Sequence, residues 1–181
     1  ADISNHEISF GFEFEQRDDR GWNVGASSLW GLAREQTNKH IEQLDLGNPI
    51  PVYDANGIFM DTIRYNRLYN EGDQSRFDYR LREHLGMDPK GTEWIHVWTL
   101  DPSEFDITYF SPDELLNSGQ SSVGYTGYDI YGNRLAEKPT FEDYFTAQDE
   151  FGDYKRLVPP TQPIYAAGYI QDKFAFNDLI F

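Results

Sequence analysis

Residues 6 to 17, His-Glu-Ile-Ser-Phe-Gly-Phe-Glu-Phe-Glu-Gln-Arg, alternate without interruption. Ile8, Phe10, Phe12 and Phe14 fall on one side, and Glu7, Ser9, Gly11, Glu13 and Glu15 on the other. A period of two is the signature of a strand with two chemically different faces, and a one-residue slip would move every side chain to the wrong one. The polar run Arg17-Asp-Asp-Arg-Gly21 then ends the pattern. At the far end, Ile164-Tyr-Ala-Ala-Gly-Tyr-Ile-Gln-Asp-Lys-Phe-Ala-Phe176 predicts a second long strand. It is followed by a turn at Asn177-Asp178 and the opening of another strand at Leu179-Ile-Phe181. A chain that starts just before one strand pattern and stops inside another is expected to be a stretch of a longer polypeptide.

Between these ends the signals change character. Ser27 or Ser28 can cap a helix reaching about Leu44, with Leu29, Trp30, Leu32, Ala33, Thr37, His40 and Ile41 at helical spacing and Glu35 with Lys39 as an i,i+4 pair. Val52 to Phe59 predicts a hairpin turning at Asn56-Gly57. A second helix is expected over Ser75 to Leu85, stopped by Gly86. Trp94-Ile-His-Val-Trp98 has strand period, and Ser121 to Leu135 predicts a hairpin turning near Tyr131-Gly132-Asn133. Ser111-Pro-Asp-Glu114 and Thr140-Phe-Glu-Asp143 are helix starts, each placing a capping hydroxyl ahead of first-turn acids. The expected fold class is therefore α+β. A compact cap of short helices and hairpins sits between two terminal antiparallel strands, with 1–181 as a single domain.

Composition narrows the function classes. A 39% hydrophobic and 16% aromatic content argues against disorder. The net charge of −16, with no basic stripe, argues against a nucleic-acid partner, because neutralising phosphates needs clustered Lys and Arg. An acidic surface is also repelled by anionic membranes. With no cysteine, disulfides, thiolate metal sites and cysteine nucleophiles are excluded, and the redox compartment stays open. No run approaches the ~18–20 apolar residues of a spanning helix.

Chemistry-bearing constellations are sparse. His6, His40, His84 and His96 have no ligand spacing, so no metal and no cofactor is expected. Asp54-Ala-Asn-Gly57 and Asp88-Pro-Lys-Gly91 have fragments of a calcium-loop pattern but lack the closing Glu, and read as turns. No GxSxG, phosphate loop or dinucleotide fingerprint occurs, and no catalysis is expected. Trp94 and Trp98, placed on one strand face, and Tyr125 and Tyr131, on another predicted hairpin, are the candidate ligand-binding platform for a sugar or peptide. Core packing is the competing role for these aromatics.

The terminal strands carry a resemblance. Tyr169-Ile-Gln-Asp-Lys-Phe174, followed by Phe176-Asn-Asp-Leu-Ile-Phe181, resembles the barrel-strand motif of TonB-dependent outer-membrane receptors, and His6 to Glu15 looks like an earlier strand of such barrels. The resemblance implies that 6–17 and 164–176 are barrel strands and that about 18–161 is one long extracellular loop of a large Bacteroidetes-type receptor. The Asn177-Asp178 turn would then be periplasmic. It further implies an outer-membrane location, with the loop at the extracellular face. The loop's role would be gating the barrel mouth and first contact with a nutrient such as a siderophore, glycan or peptide. The remaining barrel, the plug and TonB would be the partners. Barrel strands put apolar side chains toward lipid and polar ones toward the lumen, which matches the alternation. Two rivals are a free-standing secreted module binding carbohydrate or protein, and an acidic-surface hydrolase. A soluble module would bury the Phe10/Phe12/Phe14 face under its own helices; a barrel wall would leave it bare.

Overall fold

In the computed structural model, which describes residues 2–3, 6–176 and 179–180, the longest feature is an antiparallel ladder between the two ends of the chain. Strand β1 (Asp2–Ile3) pairs with β2 (His6–Gln16), β2 with β7 (Ile164–Phe176), and β7 with β8 (Leu179–Ile180). Eleven residue pairs run in unbroken register from His6 opposite Phe174 to Gln16 opposite Ile164. The expected pairing of the terminal strands and the α+β class are both present. The Asn177-Asp178 turn lies outside the described residues.

Register gives this sheet two different faces, because directly opposed residues point the same way. Phe10, Phe12 and Phe14 stand opposite Ile170, Gly168 and Ala166 on one face. On the other, Glu7 faces Lys173 and pairs with it (3.3 Å), Ser9 faces Gln171, and Gly11 faces Tyr169. The Tyr169 ring lies over Gly11, in space that a Cβ there would take, so a larger residue would push the exposed ring aside.

Above Gln16 the ladder continues through Arg17 N–H donating to Pro163 O, and through the bridge Asp19–Thr161. The chain then enters the cap by β3 (Gly21–Val24), which pairs with β6 (Val123–Thr126). Helix α1 (Ala26–Gln36) follows, then the hairpin β4 (Ile50–Tyr53) and β5 (Phe59–Arg64), helix α2 (Arg76–His84), and the short helices α3 (Pro112–Leu116) and α4 (Asp143–Thr146). Local chemistry sets several of these boundaries. Ser75 Oγ accepts from Asp78 N–H to start α2, and Gly86 (φ 69°) follows its end. Ser111 and Glu114 form a reciprocal capping box on α3. The Asp54–Gly57 turn is held by Asp54 Oδ1, which accepts from Asn56 and Ile58 N–H, with Gly57 at φ 79°.

Three expectations need correction. The first helix starts at Ala26 after Gly25 with no side-chain cap, so Ser27 and Ser28 lie inside it. It ends at Gln36, not near Leu44, because Thr37 turns extended and donates its hydroxyl to Ala33 O. Asn38 then enters the left-handed region (φ 65°), and Lys39–Ile41 forms a separate 3-10 turn. Trp94–Trp98 is not a strand. Ile95 and Val97 are buried and their neighbours exposed, as period two requires, but the backbone of Ile95 is bonded on both sides by the Asn38 side chain, and Val97–Thr99 coils into a 3-10 turn. The 121–135 hairpin is replaced by the β3–β6 pairing. Only its turn survives, closed by Asp129 Oδ1 accepting from Tyr131 and Asn133 N–H and by the bridge Tyr128–Arg134.

The cap holds its own core: Leu32 and Ala33 of α1, Phe77 and Leu81 of α2, Ile95, Val97, Phe110, Leu115, Val123 and Ile130. Phe77 stacks on Phe110 at 4.1 Å. Beside it lies a fully buried polar knot. Asp78 Oδ2 accepts from Arg82 Nε (2.8 Å), Asp78 Oδ1 accepts from Asn38 N–H, and Arg82 Nη2 donates to Asn38 Oδ1 (3.0 Å). His40 is buried against it, with Nδ1 3.3 Å from Asp78 Oδ2 and neither ring nitrogen in a good hydrogen bond. Burial holds the His40 pKa below its usual range; the Asp78 charge opposes this and the Arg82 charge reinforces it.

Two expectations follow for stability. Asp78→Asn strands the buried guanidinium of Arg82 and is expected to cost about 3–5 kcal/mol in urea unfolding; a loss under 1 kcal/mol would contradict the knot's role. Because the folded-state pKa of His40 is depressed, the unfolded chain takes up its proton first. Stability is therefore expected to be full above about pH 6.5 and to decline below it, and His40→Gln should flatten that decline.

Candidate functional site

Two features combine exposure with chemistry. The first is the terminal sheet. Its apolar face is bare: Phe10 is 82% exposed, Phe12 75%, Phe14 57% and Ile170 80%. The opposite face is also open, with Tyr165 and Tyr169 exposed beside Glu7, Glu13 and Lys173. Toward the β1 and β8 end the apolar face closes with a polar pair, His6 Nδ1 to Asp172 Oδ2 at 2.9 Å, and with His6 against the Phe174 ring at 4.9 Å. An apolar surface of this kind on a folded chain marks contact with another apolar phase or partner.

The second is a cavity of about 470 Å³ in the cap, between α1 and the segment 100–110. α1 supplies Leu29, Trp30 and Ala33, and Phe77 of α2 lines it as well. Phe105 and Ile107 come from a chain of 3-10 turns, Pro102–Glu104 and Ile107–Tyr109, each started by an aspartate. Trp30 stands edge-on to both Phe105 (5.4 Å) and Trp98 (5.8 Å). Asp106 is the one charged residue in the lining. Its Oδ1 accepts from Thr108 N–H (2.8 Å) and Thr108 Oγ1 (2.7 Å), and these bonds hold its carboxyl below the ordinary range.

The four aromatics singled out from sequence are not brought together. Trp94 lies under the guanidinium of Arg67, 3.8 Å from the ring centroid. Trp98, 72% exposed, carries Arg34 over its ring at 4.6 Å and borders the cavity through Trp30. Tyr125 and Tyr131 face inward. Their hydroxyls donate to Arg156 O (2.6 Å) and Phe110 O (2.9 Å), and burial raises both pKa values. The cavity residues Leu29, Trp30, Phe105 and Asp106 were not singled out as site residues. Leu29 and Trp30 have the helical spacing of ordinary core, and 100–107 has no period at all. The signal within 100–107 is its pair of Asp-led turns.

The carboxylates of the cap are largely committed to structure. Glu114, half-buried and raised in pKa by desolvation, accepts from Arg76 N–H with Oε1 and from Ser111 N–H with Oε2. Asp88 Oδ1 accepts from Lys90 N–H within its own turn. Arg156, at a positive φ of 53°, is clamped in a two-pronged pair by Asp113 (2.6 and 3.0 Å). Among the described residues no three His, Asp or Glu side chains gather as a metal-ligand set, and no helix is long and apolar enough to cross a membrane. Comparison of the chain with family models, curated proteins and solved structures finds no match in any of the three.

Proposed function

We propose that the chain is a surface-loop domain of a TonB-dependent outer-membrane receptor, in which β2 and β7 are neighbouring barrel strands and 18–161 is an extracellular cap that captures a nutrient and gates the barrel mouth. The observation that carries this reading is the bare, two-sided sheet. Burying a phenylalanine is worth about 1.5–3 kcal/mol, so three of them left in water on one face need a cover. Lipid covers that face in a barrel wall, and the polar face turns to the lumen. Strands of 11 and 13 residues match the roughly 9–11 needed to span a bilayer at a tilt. His6, Asp172 and Phe174 then sit where the apolar band gives way to the interface, the ordinary place for amphipathic rings. The barrel's other strands, its plug and TonB are the partners in this reading. The chain's own role is binding and gating, without catalysis.

A self-contained secreted module is less well supported, because its own helices would cover Phe10, Phe12 and Phe14. A hydrolase lacks support from the buried Asp78 and the half-buried Glu114, which are spent on the Asp78–Arg82 knot and on capping.

The coding sequence on either side of the chain tests the reading. Further segments of about ten alternating residues are expected on both sides, and their absence would refute it. On the chain itself, sedimentation without detergent is expected to show self-association through the phenylalanine face. The triple variant Phe10→Ser, Phe12→Ser, Phe14→Ser is expected to be monodisperse. A monodisperse unmodified chain would count against a lipid-covered face.

A further inference from the structure

The cap cavity has a chemistry of its own. Eleven of its twelve lining residues are apolar, and no Lys, Arg or His is among them. A glycan would find no set of convergent donors and acceptors there, and an anion would find no cation. An uncharged aromatic group would find a slot walled by Leu29, Trp30, Phe77 and Phe105, whose ring edges and faces suit an offset or edge-on ring. The volume lies within the range of small-molecule sites.

Asp106 adds direction. Its Oδ1 is taken by Thr108, whereas Oδ2 accepts no hydrogen bond from the described residues. A carboxylate kept ionised at the edge of an apolar cavity attracts a cationic donor. Asp101 and Glu104 stand on the same segment, in a chain of net charge −16, so the surrounding potential favours the same sign. Arg34, the cation stacked on the adjoining Trp98, is outside the lining.

We propose that this cavity binds the aromatic end of a ligand bearing a protonated amine, with the ring among Leu29, Trp30 and Phe105 and the ammonium at Asp106 Oδ2. The inference deepens the capture role proposed above and takes its biological meaning from it. A free arylalkylamine and a peptide with an aromatic N-terminus share this chemistry.

Calorimetric titration with tryptamine, indole-3-acetate, maltotriose and Trp-Gly-Gly-amide tests it on the full chain in detergent micelles. Tryptamine is expected to bind at least about tenfold more tightly than indole-3-acetate, the order expected for one charge-assisted hydrogen bond, and maltotriose not to bind. Asp106→Asn keeps an acceptor for Thr108 and is expected to bring the two indoles within about twofold of each other. Ala26→Phe, which fills the cavity mouth, is expected to abolish binding of both while thermal unfolding still shows a cooperative transition. Binding of Trp-Gly-Gly-amide as tight as tryptamine assigns the site to peptide N-termini; binding of tryptamine alone assigns it to free amines. Equal binding of tryptamine and indole-3-acetate, unchanged tryptamine affinity in Asp106→Asn, or no binding of either amine would overturn the inference. None of these results bears on the phenylalanine face, so failure here is distinguishable from failure of the receptor reading.

Discussion

The ladder between β2 and β7 is the constraint on which the rest of the structure depends. Eleven pairs in one register bring the two ends of the segment 17–163 to within a single strand spacing. Closing so long a loop costs entropy that grows only slowly with its length, so a long insertion between two paired strands is tolerated. The sheet offers the cap no surface to pack on, since both its faces are open. The cap must therefore build a core of its own, and it does so where α1, α2 and the 95–97 segment meet around Phe77, Leu81 and Leu115. Asn38 is the hinge of that arrangement. Its side chain ties Ile95 to Arg82, and its backbone ties α1 to Asp78.

How much of this was legible in the sequence depended on the range of the interaction concerned. Elements set by neighbouring residues were readable: the alternation of 6–16 and 164–176, the Ser75 and Ser111 caps, Gly86, and the Asp54–Gly57 turn. Elements set by distant partners were not. The pattern at 94–98 correctly marks Ile95 and Val97 as buried, but period two reports only which side chains face inward. It says nothing about whether a neighbouring strand supplies hydrogen bonds, and here an asparagine 57 residues away supplies them instead. The same limit misplaced 123–126, whose partner is 21–24 and not the next few residues. The cavity stayed hidden because its walls come from three separate segments. One of these, 100–107, folds by successive Asp-led turns and has no hydrophobic period.

Function enters through the contrast between the two parts. The sheet is chemically divided, with phenylalanines and Ile170 on one side and Glu7, Glu13, Tyr169 and Lys173 on the other, and neither side is covered. Helices laid on such a sheet would satisfy one face only; a bilayer against one and a wet lumen against the other satisfy both. The cap differs: it builds a core of its own and presents an apolar cavity with a carboxylate at the edge, while its β4–β5 hairpin leaves Ile50, Tyr53, Phe59, Met60 and Ile63 exposed. Under the proposed receptor reading, a wall in lipid and a cap that presents a cavity would divide between them the work of anchoring and capture.

The central claim is that the Phe10, Phe12 and Phe14 face is covered by lipid. The chain has no cysteine, so nitroxide labels can be placed one at a time from residue 8 to residue 15 without background. In the protein reconstituted in bilayers, accessibility to oxygen should alternate with that to a water-soluble nickel chelate. Oxygen should be favoured at 10, 12 and 14, and the chelate at 11, 13 and 15. A flat profile, or exclusion of both reagents from 10, 12 and 14, would mean that protein or water covers this face and would contradict the account.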